Sequence, residues 1–149
     1  MFLAPLLEAD AGTHLLRIVR TGRVLATTIE PAFDSSRRNR GLLGRDRLPD
    51  GTALILAPCN AVHTIGMRFA IDVVFADREG RVVKVSRSVR PWRVSAAWRG
   101  FATIELAAGA IDDAGLEPGD VVTVVPAVQQ EPSPVPKARD ATTHPPARG

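Results

Sequence analysis

The stretch CNAVHTIGMRFAIDVVF, residues 59–75, holds the side chains best suited to chemistry. Cys59, the only cysteine, stands four residues before His63, and Asp72 follows nine residues after that. A thiol, an imidazole and a carboxylate are the materials of nucleophilic catalysis, with the histidine as general base and the aspartate orienting it. The same types also ligate metals. On a straight strand, residues four apart lie about 13 Å apart, too far to share a metal ion or a proton. Pro58 permits a bend that would close that gap. Without one, Cys59 reads as a small buried apolar residue. No metal site and no cofactor are expected.

His63 and Asp72 depend on register. VHT followed by GMRFAID reads as a hairpin with its loop near Gly66-Met67. One register sets His63 beside Asp72, and the adjacent one turns it to the Ile71 face. Asp72 interrupts an apolar run, and an unpaired buried carboxylate costs several kcal/mol. Its candidate partners are Arg45, Arg68, Arg90 and backbone N–H groups. A cleft lined by His63, Thr64 and Asp72, with Arg45 neutralising negative charge and Arg90 and Trp92 nearby, would take a small polar or anionic ligand.

The densest basic run is Arg37, Arg38, Arg40, Arg45 and Arg47, diluted only by Asp46. It reads as a solvated helix face, or as an anion site if the guanidinium forks converge. Gly41 and Gly44 lack the lysine and hydroxyl of a phosphate loop. The sequence pI of about 10.0 overstates the charge, because the net formal charge is only +3 and the chain has no tyrosine. Nucleic-acid binding needs concentrated charge, preferably with stacking aromatics, and is not the expected role.

The elements that must position these residues are mostly strands. HLLRIV (14–19) and RVLATTI (23–29) flank a Thr21-Gly22 turn. Asp34, Ser35 or Ser36 caps a short helix over 35–43, with Gly44 as its stop. TALILA (52–57) is a buried strand. FAIDVVFA (69–76) alternates, and Gly80 suits a positive-φ turn into RVVKVSR (81–87). The preferred register sets Phe75 opposite Val83, Val73 opposite Val85, Asp72 opposite Ser86 and Val74 opposite Lys84. FATIELA (101–107), a short helix between Gly109 and Gly115, and VVTVV (121–125) complete the pattern. The expected fold is mainly β: a small compact barrel or sandwich of about seven to eight strands with one or two short helices.

One domain suits the 149 residues. The reading divides them into an N-terminal extension (1–12), a β domain (13–125) and a disordered tail (126–149) that holds half of the twelve prolines. MFLAPLLEADAG lacks the basic leader and long apolar core of a signal peptide. No run approaches the ~20 apolar residues of a membrane helix. A lone cysteine makes no internal disulfide, which fits a reducing, cytoplasmic setting.

The order GLLGRDRLPDG, VHTIGMRFAIDVVFADREGRVV, IELAAG and GLEPGDVV, within 41–125, resembles the bacterial and archaeal domain-of-unknown-function family 192. Many members carry Trp-Met-Lys-Asn-Thr before an Ile-Pro-Leu-Asp strand. Here His63-Thr64-Ile65-Gly66-Met67 stands in that region and Ala70 takes the proline place, as in a His-Thr-containing branch. The resemblance implies a small β-barrel-like domain, with relatives both cytoplasmic and exported, and it implies no activity. The reading that results is a non-catalytic domain binding a small polar or anionic ligand or a partner protein. Its alternatives are a hydrolase using His63 and Asp72, with Cys59 as nucleophile, and weak nucleic-acid binding through 37–47.

Overall fold

The computed structural model describes residues 1–8 and 13–127. Among these, ten strands and two short α-helices form a sandwich-like β fold, and no sheet closes into a barrel. Strands β1 (His14–Ile18), β2 (Val24–Ala26) and β10 (Val122–Pro126) make an antiparallel sheet in the order β10-β1-β2. The larger sheet runs β3 (Thr28–Ala32), β4 (Thr52–Leu56), β9 (Ala102–Ala107), β6 (Ile71–Ala76), β7 (Val82–Val89). Its β3–β4 pair is parallel and the others are antiparallel. Two three-residue strands, β5 (Ala61–His63) and β8 (Val94–Ala96), form a separate ribbon. The helices are α1 (Ser35–Arg40) and α2 (Ala110–Ala114).

The central strands of the five-stranded sheet, β4, β9 and β6, are covered on both faces, and side-chain alternation sorts their residues between two cores. Ala53, Ile55, Val74, Ala76, Ile104 and Leu106 pack with Leu16, Ile18 and Leu25 from the smaller sheet. Leu54, Leu56, Ile71, Val73 and Phe75 pack on the other side with Leu42, Leu48, Val62 and Met67. Each buried Val, Leu, Ile, Phe or Met among them contributes about 1.5–3 kcal/mol. Phe2 and Leu3, from the segment read as an extension, also enter the first core. The tail from residue 128 onward lies outside the described residues.

Three local expectations are corrected. RVLATTI is two strands, β2 and β3, in different sheets. In the β6–β7 hairpin, Phe75 faces Lys84, Val74 faces Val85 and Val73 faces Ser86, one step from the expected register. That expectation assumed one apolar and one polar face, whereas every residue of β6 is buried and neither face is wet. The tight turn is as expected, with Gly80 at φ +86°; a Cβ there would lie 2.2 Å from the Val122 carbonyl oxygen. Finally, VHT does not pair with GMRFAID. β5 pairs with β8 instead, with His63 opposite Val94.

The register places Asp72 opposite Leu106, on the first-core face of the sheet. It falls at an irregularity between Ile71 and Val73. There its carboxylate accepts hydrogen bonds from the backbone N–H groups of Ser88 (2.8 Å), Gly109 (3.1 Å) and Ile111 (2.9 Å). Two of these donors belong to the start of α2, which has no capping side chain of its own. Asp72 therefore joins β6, the end of β7 and α2. Asp72→Ala leaves three donors without a partner and is expected to cost about 3–5 kcal/mol, and Asp72→Asn about 1–3 kcal/mol. Urea denaturation checks the ranking; an unchanged midpoint in Asp72→Ala would remove this role.

Candidate functional site

Alternation along β9 sends Ala102, Ile104 and Leu106 into the first core and leaves Thr103 and Glu105 on the opposite face. β9 lies between β4 and β6, so Glu105 has Leu54 directly opposite on one side and Val73 on the other. The residue is only 4% exposed, and among the described residues no hydrogen-bond partner reaches its buried Oε2. Loss of hydration disfavours the charged form and pushes the carboxyl up from 4.5 to about 7. The positive charge of Arg45 opposes this without overcoming it. Arg45 is itself held by Glu30 at 2.8 Å.

Glu105 is one of the residues that line a cavity of about 420 Å³. The end of α1 and the residues after it form one wall, including Arg38, Arg40 and Leu42. Pro58, Cys59 and His63 also line the cavity, together with the buried Leu56, Met67 and Glu105. Asp34 starts α1 by accepting the Arg37 N–H at 2.8 Å. The helix stops at Gly41 (φ +47°), three residues before the expected Gly44, and the early stop turns Leu42 into the second core. Arg38 donates to the Phe33 carbonyl oxygen and to that of Ala57 at 3.4 Å, fastening the helix beside the sheet. The Cys59 segment is fixed to the start of β9. Cys59 N–H donates to the Phe101 carbonyl at 2.8 Å, and the Thr103 hydroxyl donates to the Cys59 carbonyl at 3.0 Å.

The structure brings Cys59 and His63 to one cavity, but not Asp72. His63 is exposed on β5, whose Val62 packs in the second core, whereas Asp72 projects from the opposite face of the large sheet. The Cys59 thiol donates to the Ala61 carbonyl at 3.2 Å. Thr64 is buried, and its hydroxyl donates to the Arg90 carbonyl at 2.6 Å and accepts the Arg93 N–H at 2.9 Å. Arg90 and Trp92 are exposed, and neither lines this cavity. The arginine run is largely engaged by its own fold: Arg37 with Asp34 (3.3 Å), Arg38 with backbone carbonyls, and Arg45 with Glu30. Arg40 lines the cavity, and no ion pair or side-chain hydrogen bond engages it among the described residues. Among those residues, no three His, Cys, Asp or Glu side chains group as metal ligands, and no helix is long and apolar enough to cross a membrane.

A family model named DUF192 and described as "Uncharacterized ACR" matches residues 17–124. The chain belongs to this family. Two crystal structures share the fold. One, a protein of unknown function from Novosphingobium aromaticivorans, is 21% identical, with TM-score 0.63 over 77% of this chain and 89% of that one. The other, described as a "putative transcription regulator" from Sinorhizobium meliloti, is 19% identical, with TM-score 0.67 over 78% of this chain and 97% of that one. No curated protein is similar enough to count as a match. At these identities the likeness concerns the fold.

Glu105 is the site residue that the sequence reading missed. Its one local signal is a lone carboxylate inside FATIELA, bounded by apolar neighbours.

The raised Glu105 value links stability to pH. The folded chain holds a proton that the unfolded chain releases nearer 4.5, so this contribution is complete below about 4.5 and is lost as pH rises towards about 7. A difference of that size corresponds to about 3 kcal/mol as an upper bound. Glu105→Gln cannot ionise and should be more stable than wild type at pH 8, with the advantage vanishing near pH 4.5. Thermal melts across pH 4.5–8 provide the check; parallel profiles for the two proteins would contradict it.

Proposed function

We propose that this protein binds a small polar ligand carrying an anionic or carbonyl oxygen in the cavity above Glu105. The observation that carries the reading is Glu105 itself, a buried carboxyl residue that lines a cavity of about 420 Å³ and whose Oε2 has no hydrogen-bond partner among the described residues. A buried polar atom left unsatisfied costs about 1–3 kcal/mol, which gives the Glu105 carboxyl group an incentive to turn towards a ligand that supplies the missing partner. With its ordinary value shifted to about 7, Glu105 is populated in both forms near neutrality. The protonated form donates to a ligand oxygen, and the charged form accepts from a ligand hydroxyl or amine. Arg40 brings positive charge to the wall, and His63 offers a ring nitrogen. Leu42, Leu56 and Met67 supply apolar contact, the usual balance in a small-molecule site.

A second reading rests on the same carboxyl group. A group poised near pH 7 is suited to general acid–base catalysis, with Glu105 replacing Asp72 in the hydrolase alternative. Binding is preferred because the Cys59 thiol donates to a backbone carbonyl and, among the described residues, no base is hydrogen-bonded to it.

The test is a thermal-shift screen with inorganic phosphate and a panel of small hydroxy acids and keto acids. At least one compound should raise the melting temperature at pH 6, with a smaller rise at pH 8 as the Glu105 proton leaves. Glu105→Gln should retain the rise and lose its pH dependence, while Arg40→Ala and His63→Ala weaken affinity roughly tenfold or more. A panel without a hit, or a hit indifferent to all three substitutions, would overturn the proposal. Turnover of a hit that Glu105→Gln abolishes would select the catalytic reading.

A further inference from the structure

The β5–β8 ribbon displays an unusual surface. Trp92 is 67% exposed, Val94 71% and Trp98 80%, and Ile65 nearby in sequence is also exposed. Val94 and Ala96 share the ribbon's outer face with His63 and Ala61, while Val62 and Ser95 turn inward. From Gly80 to Ile104 the chain contains no Asp or Glu, but it carries Arg81, Lys84, Arg87, Arg90, Arg93 and Arg99. Arg81 donates to the Gly119 carbonyl, Lys84 to that of Ala96, and Arg87 pairs with Asp112. Arg90, Arg93 and Arg99 are exposed and pair with no carboxylate among the described residues. They alternate with the two tryptophans in RPWRVSAAWR, residues 90–99. The Arg99 guanidinium lies 4.6 Å from the centre of the Trp98 ring, where it stacks by cation–π attraction.

The display of Trp92 is built rather than incidental. Its φ of +66° lies in the left-handed region, which a residue with a Cβ adopts only under strain. Buried Thr64 holds this turn through its whole polar complement. Its N–H donates to the Arg93 carbonyl (2.8 Å), its carbonyl accepts the Trp92 N–H (3.0 Å), and its hydroxyl bonds both the Arg90 carbonyl and the Arg93 N–H. A strained turn, fixed from below, thus keeps a large apolar ring in water. A second copy of the chain is a poor occupant, since a self-complementary contact would set Arg90, Arg93 and Arg99 near their own copies. A partner that is polyanionic and also presents flat faces satisfies both halves of the surface.

We infer that the 90–99 segment binds single-stranded nucleic acid, with Trp92 and Trp98 stacking on bases and Arg90, Arg93 and Arg99 contacting phosphates. Stacking on aromatic rings is tolerant of sequence, and guanidiniums add charge and further stacking. The site is independent of the Glu105 cavity, so either proposal can fail alone.

The experiment is fluorescence anisotropy of a labelled twelve-nucleotide oligo-dT titrated with the full chain. Three phosphate contacts predict a loss of roughly 20-fold in affinity between 50 and 200 mM salt. Trp98→Ala should weaken binding roughly tenfold, because each stacked base contributes about 1–3 kcal/mol. Trp92→Gly relieves the left-handed strain; it should melt no lower than wild type yet bind about tenfold more weakly. Replacing Arg90, Arg93 and Arg99 together by Ala should remove most of the salt dependence. Binding unaffected by both tryptophan substitutions would overturn the inference. So would stronger capture by phosphatidylserine vesicles or polyglutamate than by oligo-dT.

Discussion

A carboxyl group in the middle strand of a sheet covered on both faces is the constraint around which this fold is organised. Glu105 has Leu54 and Val73 beside it and, among the described residues, no donor on its buried oxygen. A charge kept there without hydration or partner is unfavourable by several kcal/mol, so the group retains its proton to about pH 7. A fully sealed core would leave even the neutral acid unsatisfied. The chain instead stops α1 early at Gly41, folds Leu42 inward and pins Cys59 to β9, and a cavity that Glu105 helps to line remains between them.

Asp72 and Glu105 show how the same functional group acquires different roles. They sit on neighbouring strands, but alternation turns them to opposite faces. Asp72 meets three backbone N–H groups and holds a helix start and a strand end together. Glu105 meets apolar side chains and a cavity. The first is satisfied by the fold and serves it. The second is left with unmet hydrogen-bonding capacity among the described residues.

Much of the architecture was legible in the residues. Apolar runs marked β4, β6, β9 and β10 within a residue or two, Asp34 capped its helix, and Gly80 occupied a positive-φ turn. These features are set by local sterics and by the period of the pattern. What was not legible depended on which strands become neighbours. VHT has no local feature that selects β8 over β6, so the partnership of His63 could not be read from its sequence surroundings. Glu105 was passed over because a Thr-x-Glu alternation in FATIELA is also what a strand with one wet face shows. Only the placement of β9 between β4 and β6 makes that face dry. For Asp72 the need for a partner was evident from its apolar neighbours, and of the candidates named, backbone N–H groups are the ones the chain uses.

The central claim concerns the proton on one carboxyl group. ¹³C NMR titration of the Glu105 side-chain carboxyl, assigned by comparison with Glu105→Gln, measures it without any ligand in hand. The account predicts a midpoint near pH 7, well above the other glutamates. A midpoint near 4.5 would mean that the group is hydrated or paired in solution, and the cavity above it would lose its chemical distinction.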